Sequence, residues 1–174
     1  MNVEFRKAII PDEVGPLYKF DHIAFASFPG DPFEAEDWEQ YESYWMIVDG
    51  KIVGRSAFLH NVDYDEEPRT GCLWIASIGI LPEVQGQGLG SKLKEWQIKY
   101  ATQHGFEIIV TNMRQSNSRI LGLNEKFGFK IREFVTGYYD DPDEVAIVME
   151  LKIAPEVNAA TLREFLVIDG VQVI

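Results

Sequence analysis

The stretch Ile78–Gly90, which reads IGILPEVQGQGLG, joins two elements of different character. Before Pro82 the chain runs through an uncharged, mostly apolar segment, Leu73–Leu81, whose length and composition predict a buried strand. After the glycines, apolar side chains recur every third or fourth residue, which predicts an amphipathic helix from about Gly88 to His104. The glycine-rich segment is therefore a turn between a buried strand and a helix.

This turn has the chemistry of a phosphate-binding loop. Glycines let the backbone approach a ligand closely and adopt positive φ angles, and the first N–H groups of a helix are unpaired at its positive end. A P-loop needs Gly-Lys-Ser/Thr, whereas the order here is Gly90-Ser91-Lys92. A dinucleotide fingerprint usually follows the first strand of its unit, whereas other elements come first here. An ordinary glycine-rich turn is the remaining alternative.

The rest of the chain predicts strands and helices around this turn. On the N-terminal side, the predicted elements are a strand at Val3–Ile9, a helix from Pro11 toward Phe25, a second short helix within Asp31–Glu42, a hairpin of Tyr44–Val48 and Ile52–Leu59, and an acidic loop at Asp63–Gly71. On the C-terminal side they are a strand at Glu107–Thr111, a helix from Asn117 or Ser118 to Gly128, and strands at Phe129–Thr136 and Val145–Ile153.

Two motifs in this order resemble the GNAT acetyltransferase superfamily. Ile78–Gly90 resembles its motif A, Gln/Arg-x-x-Gly-x-Gly/Ala, and Asn124–Phe129, preceded by Asn117, resembles its motif B. The resemblance covers one domain, residues 1–153, and leaves 154–174 as a tail. It implies an α/β fold with a mixed, twisted sheet of about seven strands and about four flanking helices, splayed between its fourth and fifth strands.

The resemblance also implies acetyl-CoA as a co-substrate, with its acyl arm in the split and no metal. The residues that would bind it are Ile78, Ile80, Gln85, Gly86, Gln87, Gly88, Leu89, Gly90, Ser91, Asn117 and Asn124. The backbone amide of Ile78 is the implied donor to the developing oxyanion.

Three side chains are the candidates for the chemical step. Asn124 stands where many family members carry a tyrosine proposed to protonate the leaving thiolate, and its amide would orient a water or the sulfur instead. The alternative is a satisfied core amide. Tyr138 and Tyr139 look like a tyrosine pair that lines the substrate entrance of N-terminal protein acetyltransferases. Their alternative is a pair of half-exposed hairpin aromatics.

Composition narrows the partners. The net charge of −12 argues against a nucleic-acid binder, and no apolar stretch is long enough to cross a membrane. Residues 85–132 nevertheless hold eight basic and three acidic residues, which predicts one face for an anionic ligand and another for a cationic one, with chance as the alternative. The lone Cys72 excludes an internal disulfide, and the three histidines lack metal-ligand spacing. We expect a cytoplasmic protein without a metal.

The predicted function is N-acetyl transfer from acetyl-CoA to an amine, either a small amine such as a polyamine or a protein N-terminus. The alternatives are a non-catalytic acyl-CoA sensor on the same fold and a dinucleotide oxidoreductase domain. No general base stands out; the candidates are Glu34, Glu36, Asp37, Asp63, Asp65, His22 and His60.

The tail carries its own prediction. Asp169-Gly170 between the apolar runs Phe165–Ile168 and Val171–Ile174 predicts a small hairpin. Because an isolated apolar hairpin is marginal in water, we expect it to pack on the core of its own chain or on a second subunit of a homodimer. A flexible terminus is the alternative.

Overall fold

The computed structural model describes residues 1–154 and the residue pairs 167–168 and 171–172. The strands are β1 (Val3–Lys7), β2 (Glu42–Val48), β3 (Lys51–Val62), β4 (Pro68–Ile80), β5 (Ile108–Arg114), β6 (Lys130–Tyr139), β7 (Glu144–Lys152), β8 (Val167–Ile168) and β9 (Val171–Gln172). The α-helices are α1 (Val14–Ala24), α2 (Leu89–Gln103) and α3 (Ser118–Lys126), and short 3₁₀-helices lie at Asp37–Glu39 and Pro82–Val84.

Seven strands form one mixed sheet in the order β1-β2-β3-β4-β5-β7-β6. Every neighbouring pair is antiparallel except β4 and β5, which α2 connects as a parallel pair. Their pairing runs only from Cys72↔Ile108 to Ile75↔Thr111. Beyond it, β4 continues to Ile80 and β5 to Arg114 without pairing to each other. The mixed sheet and its predicted splay are therefore confirmed.

Helices cover both faces of this sheet. Successive residues of a strand point to opposite faces, so each face presents its own apolar side chains to a helix. On one face, Leu73 and Ile75 of β4 join a core with Tyr100 of α2. On the other face, Trp45 of β2 packs with Leu17 of α1. The sheet is thus enclosed as the middle layer of three.

The structure corrects three predicted elements. The second short helix is only the 3₁₀ turn Asp37–Glu39, because the fully buried Trp38 and its aromatic neighbour Phe33 fix the segment by packing, at a ring distance of 5.0 Å. The flanking helices therefore number three α-helices in the described part of the chain. The acidic loop is shorter than predicted, because β4 already begins at Pro68. Tyr138 and Tyr139 end strand β6 and do not lie in a free loop.

The tail is described only in part. β8 and β9 pair antiparallel, with Val167 opposite Gln172, where the sequence predicts a hairpin. The remainder of the tail lies outside the described residues, so its packing and the homodimer stay predictions.

Helix α2 buries a lysine. Lys94 is 1% exposed, and its Nζ has no hydrogen-bond partner among the described residues. The ammonium lies 5.0 Å from the centre of the Phe129 ring. Burial lowers the pKa of Lys94 to about 7, because an apolar environment disfavours the charged form.

We expect Lys94→Met to raise the melting temperature near pH 7, because it removes a buried polar group without a partner. Lys94 has a lower pKa in the folded chain than in the unfolded chain, which binds more protons between pH 7 and 10. The free energy of unfolding of the wild type should therefore rise over that range, by up to about 1.4 kcal/mol per pH unit from this group. Chemical denaturation across the range measures it.

The control is Lys99→Met, which changes an exposed lysine of the same helix. It should keep the pH dependence of the wild type, whereas Lys94→Met should flatten it. Equal pH dependence in all three proteins would show that Lys94 ionises normally.

Candidate functional site

A long cleft opens where β4 and β5 part. Its volume is about 1330 Å³, above the roughly 300–1,000 Å³ typical of a site for one small ligand. The residues that line it come from the glycine-rich turn, α3, the segment between α1 and β2, and the end of β6. The cleft is therefore large enough for two ligands, and its two ends differ in chemistry.

The first end, here called the cradle end, is formed by the glycine-rich turn at Gly86–Ser91. Gly86 and Gly88 have φ angles of 82° and 79°, which strongly favour glycine. No side chain caps the start of α2, and its first hydrogen bond runs from the Lys92 N–H to the Gly88 carbonyl. A Cβ added at either glycine would meet nothing within 4 Å. The turn therefore combines uncapped N–H groups at the start of α2 with a backbone that is open at both glycines, which suits a phosphate.

Two cations of α3 stand beside this cradle. Arg119 donates to Gln85 Oε1 at 3.0 Å, and Lys126 Nζ lies 3.3 Å from Ser91 Oγ. Within the described chain neither forms a salt bridge, so both positive charges remain available to an anion. Fewer of the eight basic residues in 85–132 are free to bind an anion than the sequence predicted. Lys94 is buried, and Arg114 and Arg132 are paired with carboxylates.

The middle of the cleft is the unpaired edge of β4. Ile78 and Ile80 line it and are paired only with β3 on the opposite side, at Ser56 and Gly54. Five residues of β4, from Ala76 onward, thus lack a strand neighbour along this edge. An extended ligand could add there as a strand does.

The two motif B asparagines occupy different environments. Asn117 lines the cleft, and its Oδ1 caps α3 by accepting from the Ile120 N–H at 3.2 Å. Asn124 is fully buried and does not line the cleft. Its Nδ2 lies 3.7 Å from Met113 Sδ and 3.8 Å from Met149 Sδ, whereas its Oδ1 has no partner in the described chain. Asn124 is therefore a core amide, as the alternative predicted, but its oxygen is left without the partner that a satisfied amide would have.

Most of the predicted site residues lie in the cleft. All except Gln87 and Asn124 line the cleft: Ile78, Ile80, Gln85, Gly86, Gly88, Leu89, Gly90, Ser91, Asn117, Tyr138 and Tyr139. Their roles toward a ligand remain predictions.

The second end, here called the aromatic end, is lined by Phe33, Tyr41, Tyr64, Trp74, Tyr138 and Tyr139. Phe33 stacks on Tyr41 at 4.6 Å, and Tyr138 meets Tyr139 edge-on at 5.0 Å. Burial, with the charges of Glu66 and Asp37, raises the pKa of Tyr41 to about 12. Burial likewise raises the pKa of Tyr138 to about 12. These phenols therefore stay neutral and offer π faces.

Carboxylates surround the aromatic end. The acidic residues that line the cleft are Asp31, Glu34, Asp37, Asp65, Glu66 and Asp140. Only Asp31 among them forms a salt bridge within the described chain, with Arg114 at 2.7 Å. Neutral aromatic faces inside an acidic rim attract cations.

Arg114 ties the aromatic end together, a role that the sequence did not reveal. It is 4% exposed and donates to Asp31 at 2.7 Å and to the carbonyls of Pro142 and Asp140 at 2.7 and 3.0 Å. Its guanidinium also lies 4.7 Å from the centre of the Tyr139 ring. The segment before β2 and the β6–β7 connection are therefore held to the end of β5.

The candidate bases divide into two groups. Glu34, Asp37 and Asp65 line the cleft, whereas Glu36, Asp63, His22 and His60 do not. Asp63 is bonded to Arg132, and His60 lies 3.0 Å from Glu42. No histidine occurs among the described residues that line the cleft.

Within the described residues, no three side chains of the metal-binding types cluster closely enough to hold an ion. No helix in that part of the chain is long and apolar enough to cross a membrane.

Comparisons with known proteins agree with the motif resemblance. The model of the acetyltransferase (GNAT) family matches residues 13–129, a range that contains motifs A and B. The spermine/spermidine N(1)-acetyltransferase of Bacillus subtilis (strain 168) is 27% identical over 123 residues, covering 68% of this chain and 76% of that protein. The [ribosomal protein bS18]-alanine N-acetyltransferase of Escherichia coli (strain K12) is 28% identical over 124 residues, covering 70% and 78%.

Solved structures share the fold. The crystal structure of the ribosomal-protein-S18-alanine N-acetyltransferase from Escherichia coli aligns with a TM-score of 0.72 at 21% identity, covering 91% of this chain and 98% of that one.

The cradle can be tested by substitution. We expect acetyl-CoA at a hundredfold excess over its Kd to stabilise the wild type by about 2.7 kcal/mol. Gly88→Glu should abolish the rise in melting temperature, because its carboxylate repels phosphates and its side chain blocks the open backbone. Differential scanning fluorimetry with and without acetyl-CoA measures the effect.

Gly105→Glu is the matched control. Gly105 also has a positive φ, 76°, and open space around its Cβ, but it follows the far end of α2. It should carry the same backbone strain and keep the shift induced by acetyl-CoA. A full shift in Gly88→Glu would show that the phosphates bind elsewhere.

Proposed function

The chain belongs to the GNAT acetyltransferase family, and we propose that it transfers the acetyl group of acetyl-CoA to a primary amine of a small polycation of the polyamine class. One observation carries this proposal. A single cleft joins the cradle end, beside the unpaired cations Arg119 and Lys126, to the aromatic end with its surrounding carboxylates. An anionic donor and a cationic acceptor would meet where β4 and β5 part.

Family membership supports a catalyst over the non-catalytic acyl-CoA sensor. The family match also argues against the dinucleotide oxidoreductase domain. In that fold the glycine-rich turn follows the first strand of a parallel sheet, whereas here it follows β4 of a mixed sheet.

Donor binding follows from the cradle end in this proposal. The N–H groups at Gly86–Ser91, with Arg119 and Lys126, bind the phosphates of acetyl-CoA. Its pantetheine arm lies along the unpaired edge of β4, past Ile80 and Ile78. A backbone N–H at Ile78 stabilises the oxyanion that forms on the acetyl carbonyl.

Acceptor binding follows from the aromatic end. A polyamine carries several ammonium groups, and unpaired carboxylates such as Glu34 and Glu66 attract those that do not react. A relative of 27% identity is a spermine/spermidine N(1)-acetyltransferase, which supports this acceptor class. A protein N-terminus is the second candidate, supported by the alanine N-acetyltransferase relative of 28% identity and by the tyrosine pair Tyr138 and Tyr139.

The reacting amine must lose its proton before it attacks. An alkylamine with a pKa near 10.4 is neutral in only about one molecule in 2,500 at pH 7. Nearby carboxylates raise the pKa of an amine, which opposes deprotonation. Burial of the reacting amine at the aromatic end lowers its pKa, because removal from water disfavours the ammonium form even where π faces attract it. In this proposal the carboxylates bind the ammonium groups that do not react, and the aromatic end receives the reacting nitrogen.

The pH profile distinguishes the two acceptor classes. With spermidine, we expect kcat/KM to rise about tenfold per pH unit from pH 6.5 to 9, because the amine near pKa 10.4 must deprotonate. With a peptide bearing a free N-terminus, the rise should level off near pH 8, because an α-amine has a pKa of about 7.8. Thiol release from acetyl-CoA measures both. A spermidine profile that is flat above pH 7 would contradict unassisted deprotonation.

The acidic rim can be tested by neutralisation. The double variant Glu34→Gln/Glu66→Gln should raise KM for spermidine about tenfold at low salt and leave KM for acetyl-CoA unchanged. The difference should shrink at high ionic strength, because these carboxylates are exposed and salt screens them. Initial rates at two salt concentrations measure it.

Glu36→Gln is the control, since Glu36 is an exposed carboxylate of the same segment that does not line the cleft. It should leave both KM values unchanged. Equal spermidine KM in all variants, with a high kcat/KM for the peptide, would favour the protein N-terminus.

A further inference from the structure

Three polar side chains form a line at the point where β4 and β5 part. The indole Nε1 of Trp74 donates to Asn112 Oδ1 at 2.8 Å, and Asn112 Nδ2 donates to the Tyr139 hydroxyl at 2.8 Å. All three residues line the cleft, and Asn112 is the first residue of β5 beyond its last pair with β4. The line therefore ends in a hydroxyl beside the split.

The chemistry of the three groups fixes the direction of these hydrogen bonds. An indole N–H can only donate, so the Asn112 oxygen must face Trp74 and its NH₂ group must face Tyr139. The Tyr139 oxygen is consequently an acceptor, and its own proton is left to donate elsewhere. No acceptor for that proton occurs among the described residues.

The neighbouring tyrosine differs in this respect. The Tyr138 hydroxyl donates to the Tyr64 carbonyl at 3.4 Å, so its proton is already engaged. Tyr139 is also held firmly, because the Arg114 guanidinium lies 4.7 Å from its ring centre and is itself 4% exposed. Tyr139 thus presents a positioned, unengaged O–H donor to the cleft.

Motif B supplies no such donor in this chain. Asn124 is fully buried, and its amide nitrogen faces two methionine sulfur atoms, Met113 Sδ and Met149 Sδ. A thiolate leaving in the split would therefore find no hydroxyl from α3 at this position.

On the premise of the acetyl transfer proposed above, we propose that the Tyr139 hydroxyl donates the hydrogen bond that stabilises the leaving thiolate of coenzyme A. Tyr139 is then a catalytic residue, whereas Asn112 and Trp74 are positioning residues that keep its proton directed at the sulfur.

The acetyl transfer is balanced in atoms and electrons, and Tyr139 keeps its proton throughout. The acceptor nitrogen forms a C–N bond to the acetyl carbon, and the C–S bond breaks with its electron pair left on sulfur. The acceptor nitrogen releases its extra proton through solvent, and the thiolate takes up one proton to become the thiol. Burial raises the pKa of Tyr139 above that of an ordinary phenol, so it remains protonated beside a thiolate of pKa near 8.5.

The first test changes the leaving group. Tyr139→Phe should lower kcat with acetyl-CoA at least tenfold, with little change in KM for acetyl-CoA, because the hydrogen bond forms as charge develops. With the acetyl thioester of 4-nitrothiophenol, whose thiolate is far more stable, the loss should be less than threefold. The ratio of wild type to variant within each donor cancels differences in donor binding.

The second test reverses the direction of the hydrogen bond without changing shape. In Asn112→Asp, a carboxylate accepts from both Trp74 and Tyr139, so the tyrosine proton turns away from the cleft. The loss of kcat with acetyl-CoA should match that of Tyr139→Phe, again with little loss for the aryl thioester. The double variant should be no worse than either single variant, because both remove one interaction.

Tyr18→Phe, which alters an exposed tyrosine outside the cleft, serves as the control and should keep wild-type rates with both donors. Equal losses with both donors in Tyr139→Phe would overturn the inference and assign Tyr139 to acceptor binding. Wild-type rates in Asn112→Asp would overturn it as well. Both results leave acetyl transfer itself intact, whereas a wild type that turns over neither donor with any amine contradicts the proposed function and this inference together.

Discussion

The separation of β4 from β5 after four paired positions is the constraint on which the other features depend. Each strand keeps its outer antiparallel partner beyond this point, β4 with β3 as far as Ile80 and β5 with β7 as far as Arg114. Only the inner edges lose their hydrogen bonds. The parallel arrangement also requires a crossover, and α2 supplies it with its uncapped first turn lining the cleft. One break in backbone pairing therefore places a phosphate cradle, an open strand edge and Asn112 together.

Charge is distributed to match this geometry. The chain has a net charge of −12, yet the two cations nearest the cradle carry no carboxylate partner within the described residues, and most acids of the cleft lie at the other end. Arg114 belongs to the acidic end, where it joins segments more than 80 residues apart by compensating Asp31. Net charge alone would hide this division, because the unpaired cations and the unpaired carboxylates lie at opposite ends of one cleft.

Local pattern was enough to predict much of the fold. The Asp49-Gly50 turn, the strand stopped by Pro82 and the glycine turn at Gly86 are local signals, and the elements around them were predicted, although β4 begins five residues earlier than Leu73. The missed second helix illustrates the limit, because the burial of Trp38 against Phe33 is a tertiary effect.

The site was predicted unevenly for the same reason. Residues of the glycine turn could be identified because their positive φ angles require glycine, which the sequence shows directly. The burial of Asn124 among the sulfur atoms of Met113 and Met149 could not be predicted, because the two methionines lie on separate strands, β5 and β7. The Trp74–Asn112–Tyr139 line joins three separate strands, so no spacing in the sequence reveals it. Lys94 had no such signal, because its helical stripe, with Gln97 and Ala101, is not apolar in sequence and is buried only by tertiary packing.

The contact between Gly30 and the β6–β7 connection has a consequence for engineering. The Gly30 N–H donates to the Asp141 carbonyl at 3.0 Å, and a Cβ at Gly30 would come within 2.2 Å of the Asp140 carbonyl oxygen. With Arg114 bonded to both segments, neither loop can be redesigned alone. A redesign must transplant the segment between α1 and β2 together with the β6–β7 connection, as a single cassette with the arginine that joins them.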